Sequence, residues 1–245
     1  MRARNDRRGE PEARPWTRRR FLAVAGGGAL GALLAACGTP QRTASSASPV
    51  RSRFRSRPDL EPPVVEVTGP VGLPGAGEIF LTPGAPLIVD DHGSPVWYHP
   101  VPHAATNLRV QHYGGRPVLT WWEGEITHYG VGQRGEVVIV DANYHEIRRV
   151  HGADGLVADL HEFVIAADGT GYLTAYRELI ADLSAVGGPS RGRLLDSVVQ
   201  GIDLATGAAV FEWHSADHIE LSETYQRYSA QSAAPLNPCT STRST

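Results

Sequence analysis

The run DLHEF, Asp159 to Phe163, sets a histidine between a leucine and a glutamate at the start of a strand-like segment. An imidazole there can act as nucleophile, general acid or ligand of a developing oxyanion. It can equally hydrogen-bond the backbone of a neighbouring strand, and on the residues alone both readings stay open. Around it stand Trp121-Trp122-Glu123, Tyr176-Arg177 and Glu212-Trp213-His214. Adjacent tryptophans on a strand point to opposite faces, so one ring packs inside and the other is available as a platform for an aromatic ligand. Core packing is the more frequent use of such a ring. The candidate set is therefore His161 as the catalytic group, with Trp121, Trp122, Arg177 and His214 as substrate-binding residues.

Other chemistries fall away on composition. The 23 basic residues are all arginine, with no lysine, which removes phosphate loops of the Walker type, Schiff bases and kinase-type ATP sites. Thirteen arginines lie in residues 1–57; from residue 58 onward 10 arginines face 23 acids, a formal charge of −13. So acidic a body is a poor partner for nucleic acid. Gly188 to Gly192 fits G-x-S-x-G, but it sits in a Gly/Pro loop followed by a strand, so Ser190 reads as a loop serine rather than a nucleophile. His214 and His218 are four apart without the glutamate of a zinc-binding helix, and no metal or cofactor is implied.

The elements that would position these residues read as strands. Short alternating apolar runs, cut by Gly, Pro, Asp and Asn about every ten residues, begin at Val64. Three of them end in an aspartate and a polar turn: Asp90, Asp141 and Asp203, while Asn107 and Asp159 hold equivalent places between them. A period near fifty with four strands per unit predicts an all-β fold, a partial β-propeller of two to three blades over 64–225. A two-sheet sandwich is the alternative. So few blades cannot close a ring, which predicts either further blades or assembly with copies of the chain. The stretch from His218 to Tyr228 reads as a short helix or a polar loop. Residues 226–245 read as a disordered tail, flexible or unrelated to the repeats.

The N-terminal 37 residues read as an address. Arg18 and Arg19 before Phe21 and Leu22 resemble a twin-arginine export signal, and Leu34 to Cys37 a lipobox whose Cys37 takes the lipid. An uncleaved anchor is the alternative; either places the protein at the outer face of the cell membrane, and extracellular release is the remaining outcome. Residues 38–63, rich in Ser, Arg and Pro, read as a disordered linker, and Cys239 is left unpaired.

Taken together, GEIFLTPGAPLIVDDHGSPVWYHP, VLTWWEGEITHYGVGQRGEVVIVDANYHEIRRV, DLHEFVIAADGTGYLTAY and DSVVQGIDLATGAAVFEWHSADHIELSETY resemble the arylsulfotransferase family of exported propellers. The resemblance implies sulfuryl transfer from an aryl sulfate donor to a phenol, without a nucleotide donor and through a channel histidine. His161 then matches a channel histidine that stabilises the sulfuryl oxygens or protonates the leaving phenolate. His214, at the end of a fourth strand, lies away from the channel on this reading. Residues after Tyr225 do not resemble the family's later blades, which carry further histidines, an asparagine and an arginine. The alternative is a non-catalytic surface lipoprotein or ligand-binding propeller fragment.

Overall fold

Asp90, Asp141 and Asp203 build three copies of one turn. In each, Oδ1 accepts two backbone N–H groups: from His92 and Ser94, from Asn143 and His145, and from Ala205 and Thr206, all at 2.7–2.9 Å. These bonds hold all three carboxyls below the usual carboxylate range. Each turn joins two antiparallel strands, so the repeated aspartate fixes the same hairpin three times.

The computed structural model describes residues 53–68 and 77–239. Among these residues eleven strands form three antiparallel sheets. The first contains β1 (Ile79–Leu81), β2 (Leu87–Val89) and β3 (Pro95–Tyr98). The second contains β4 (Ala104–Tyr113), β5 (Arg116–Ile126), β6 (Gly132–Val140) and β7 (Glu146–Val150). The third contains β8 (Ala158–Ile165), β9 (Thr170–Ala181), β10 (Gly192–Asp203) and β11 (Ala209–His214). Strand order follows the sequence in every sheet, and among the described residues the sheets close no ring. The fold is all-β, as the spacing predicts.

Alternation along the middle sheet decides the packing. Val118 and Trp122 of β5, with Val137 and Ile139 of β6, pack in one cluster with Phe163, Leu173, Ala175, Val198 and Ile202 of the third sheet. The intervening residues Leu119, Trp121, Val138 and Val140 pack in another with Ile88, Phe80 and Trp97 of the first. The middle sheet is thus buried on both faces. Burying each such large side chain contributes about 1.5–3 kcal/mol.

Two segments expected to be unstructured are ordered where they are described. Residues 53–63 of the expected linker lie against the first sheet: Pro62 is buried, and Phe54 and Leu60 line a space of about 460 Å³ with Trp97 and Tyr144. Residues 226–239 of the expected tail fold back on β10. Leu236 bridges Leu194 in parallel, accepting from Leu195 N–H at 2.7 Å and donating to Arg193 O at 3.0 Å. Leu236 is buried with Leu183 and Leu194, and this apolar contact, invisible to strand periodicity, holds the segment. His218–Tyr228 is a loop with a single 3-10 turn at Leu221–Glu223, following the one-turn helix α1 (Ser215–His218).

Candidate active site at the start of strand β8

A bulge explains why a polar pair opens a strand. Ala158 pairs with Ala175 and Phe163 with Leu173, so β8 carries three more residues than β9 across this interval. Asp159 to Glu162 therefore leave the ladder, and the usual in-and-out alternation does not govern them. The residues of DLHEF that could do chemistry are the bulged ones.

Within the bulge the Asp159 carboxylate is buried and organises its surroundings. Its Oδ1 accepts the N–H of Gly132 at 2.5 Å, and its Oδ2 accepts both the N–H of His161 at 3.0 Å and the ring Nδ1 of His161. His161 itself is half exposed, and its Nε2 has no partner among the described residues. A carboxylate that takes the Nδ1 proton fixes the tautomer and leaves Nε2 as the working nitrogen. Tyr176 meets the imidazole edge-on, with centroids 6.2 Å apart. Burial, reinforced by Asp159, pushes the Tyr176 phenol up to about 12, against a hydrogen bond with Asn237 that lowers it. The phenol therefore stays a neutral proton donor beside the histidine.

The same device recurs one sheet earlier. In β4 the run Asn107-Leu108-Arg109 also sits at a register shift, with Asn107 at φ 61°, and Asn107 Oδ1 accepts from Arg109 Nη2 as Asp159 accepts from His161. The two bulges are neighbours. Thr106 Oγ1 donates to Leu160 O at 3.1 Å, Gln111 Nε2 donates to Phe163 O at 3.1 Å, and Ile165 N–H donates to Gln111 Oε1 at 2.8 Å. Arg109 forms an ion pair with Glu162 at 2.8 Å. Two strands from adjacent sheets thus present an arginine and a histidine from equivalent positions. The sequence carries this signal in the matched places of Asn107 and Asp159, but strand alternation gives no reason to single out Arg109 as the counterpart of His161.

The other expected site residues are placed differently. Trp121 and Trp122 are each 1% exposed, so neither offers a platform to a ligand. Trp122 donates Nε1–H to Ala158 O at 2.8 Å and so holds the start of β8; Trp121 donates to Glu123 Oε2 at 3.1 Å and packs on Trp97 and His99. Burying both rings is the better use of their area because the sheet has a neighbour on each side. His214 is spent on structure: Nδ1 lies 2.6 Å from Asp196 Oδ2 and Nε2 2.7 Å from Glu212 Oε1, with only 12% of the side chain exposed. The Glu212 and Asp196 bonds raise its affinity for a proton above the ordinary histidine range. Arg177 reaches the same Asp196 oxygen at 3.3 Å and is half exposed. Burial works to raise Asp196, but bonds from Ala216 N–H, His214 and Ser215 outweigh it and hold the carboxyl below its usual range.

Ser190 lies in an exposed turn leading into β10, with no helix after it. Asp90, Asp91 and His92, whose ligand atoms lie within 4.8 Å of one another, belong to the β2–β3 turn of the first sheet. Asp90 Oδ1 already accepts two backbone N–H groups there. Arg18, Arg19 and Cys37 lie outside the described residues, and no helix among the described residues is long and apolar enough to cross a membrane.

Residues 109–243 match the family described as arylsulfotransferase (ASST). The chain belongs to the arylsulfotransferase family. The match begins at Arg109, within β4, takes in the rest of the middle sheet and the third sheet, and runs on through the docked segment 226–239, so that segment is part of the family's sequence rather than unrelated to it. No curated protein and no solved structure matches the chain. The arylsulfotransferase family implies a phenolic substrate and an aryl sulfate donor. Asp159–His161 and Asn107–Arg109 both fall in or at the edge of the matched region.

Proposed function

We propose that this arylsulfotransferase-family chain transfers sulfuryl groups between phenols, without a nucleotide donor, using His161 on the inner strand of a β-propeller blade. On this reading the three sheets are consecutive blades, and β4 and β8 line the channel. What supports it is the middle sheet, buried on both faces by its neighbours, and the side-chain bonds between β4 and β8.

The observation that carries the catalytic assignment is the Asp159–His161 pair, with Nε2 exposed. With the ring proton on Nδ1, Nε2 takes the proton of the acceptor phenol as its oxygen attacks the donor sulfur, and passes it to the leaving phenolate as the sulfur–oxygen bond of the donor breaks. Arg109, freed from Glu162 by the incoming anion, offsets charge on the sulfuryl oxygens. Export by the twin-arginine route and a lipid on Cys37 complete the proposal, because a donor that is not a nucleotide suits a protein outside the cytoplasm.

The test is p-nitrophenyl sulfate with phenol as acceptor, followed by release of coloured nitrophenolate. His161→Ala should abolish release while keeping the melting temperature. Absence of release from well-folded wild type overturns the proposal. A second reading, a non-catalytic ligand-binding lipoprotein, is favoured by one feature. The face of the third sheet turned away from the middle one leaves Val164 42% and Phe211 45% exposed, where a ring would bring a further blade.

A further inference from the structure

One cavity lies away from His161. A groove of about 1060 Å³ runs between the entry to β10 and the segment from Tyr225 to Leu236. Its wall includes Arg191, Arg193, Arg227, Tyr225 and Tyr228 and no acidic residue. In a body where acids outnumber arginines by more than two to one from residue 58 onward, this collects three of the ten arginines. None of Asp159, His161, Arg109, Arg177 or His214 lines it.

The groove is built rather than incidental. Tyr228 lies over Gly188, where an added Cβ would come within 2.9 Å of the ring, and it packs against the Leu183, Leu194 and Leu236 cluster. Arg193 is held twice: Nε and Nη2 lie 2.5 and 2.8 Å from the two Glu178 oxygens, and Nη1 donates to Ala233 O at 3.2 Å. Arg191 and Arg227 have no carboxylate partner among the described residues. Tyr225 is 91% exposed, an aromatic ring with nothing upon it. Guanidinium groups bind sulfonate, sulfate and carboxylate through paired N–H donors, and phenol rings offer a face to another ring.

We propose that this groove binds an aromatic ligand bearing an oxyanion, with Arg191 and Arg227 on the anion and Tyr225 and Tyr228 on the ring. It is a second site, and it stands or falls separately from the assignment of His161. The probe is p-toluenesulfonate, whose carbon–sulfur bond offers no group to transfer, titrated by calorimetry into the full chain. Wild type should bind saturably and more weakly as salt rises. The Arg191→Gln/Arg227→Gln variant should bind about tenfold or more weaker with an unchanged melt, as loss of charge-assisted bonds requires. His161→Ala should keep the binding that the double variant loses, and methanesulfonate should bind more weakly than the aryl probe. Four results each overturn the proposal: no saturable binding by wild type, equal affinity in the double variant, loss of binding in His161→Ala, or methanesulfonate binding as tightly as the aryl sulfonate.

Discussion

Asp159 and His214 show how one pairing, carboxylate with imidazole, serves two ends. Around His161 one ring nitrogen is held and the other is left to solvent; around His214 both are held, and the bonds to Glu212 and Asp196 favour its protonated form. Asp159→Asn keeps the volume and the bond from Gly132, but sets an amide NH2 donor against Nδ1 in place of an acceptor and so disfavours the Nδ1–H tautomer. Nitrophenolate release should fall at least about a hundredfold in kcat with KM little changed. An unchanged kcat would remove Asp159 as the positioning residue. His214 predicts a pH effect on stability instead. Its folded state holds a proton more tightly than the unfolded chain does, so its contribution is fully present below the ordinary histidine value of about 6.5 and is lost as pH rises through the raised value. Asp196 and Glu212, both held low, act in the opposite sense and lose their contribution as the medium becomes acidic. The melting temperature should therefore decline on the alkaline side of neutrality, and His214→Gln should lower it at pH 6 while flattening that decline. A wild-type melting temperature that holds level from pH 6 to 9 would contradict the assigned imidazolium.

At the scale of elements, one link from the middle sheet to the candidate site is a tryptophan crossing two glycines. A Cβ at Gly135 would stand 2.2 Å from Trp122 Nε1 and 2.5 Å from Ala158 O; a Cβ at Gly132 would meet the Trp122 ring at 2.8 Å and Asp159 Cα at 3.1 Å. Glycine is required there so that the indole can lie across β6 and reach Ala158 O. Trp122→Phe leaves that carbonyl without its donor and should cost about 1–3 kcal/mol, with a loss of transfer activity, because Asp159 follows Ala158 directly. Gly135→Ala should be worse, since backbone and ring must both move. Equal stability and activity in Trp122→Phe would separate the clamp from the site. Much of this scale was legible in the sequence. The aspartates at 90, 141 and 203 marked real hairpins because an Asx turn is a local interaction, written within four residues. Adjacency alone makes the tryptophan pair two-faced, but its burial depends on a sheet at each side, which neighbouring residues do not encode. The bulge at Asp159–Glu162 breaks the period of two on which strand reading rests. The docked segment to Cys239 packs through Leu236 and Tyr228, two side chains eight residues apart in a polar stretch, and so sparse a pair makes no pattern.

For the whole molecule, stability should grade outward from the middle sheet. β5 and β6 contribute to both large apolar clusters, so opening either neighbouring sheet uncovers only one of their faces. The first sheet has three short strands and relies on one of those clusters, and β11 is an edge strand whose residues Ala209 to Glu212 are all exposed. Backbone amides exchange through openings whose free energy ranges from near zero at frayed edges to the global value in the core. Hydrogen exchange followed by mass spectrometry should find β5 and β6 slowest, β9 and β10 next, and β1, β3 and β11 fastest. If the three sheets are blades, that order has a structural cause: the middle blade is the one with a neighbour on each side, and the third would gain protection at β11 only when something covers Phe211 and Val164. Amides of β1 and β3 exchanging as slowly as those of β5 and β6 would mean that the first sheet is anchored by more than the Trp97–Trp121 contact and its apolar surroundings, and the outward grading would be wrong.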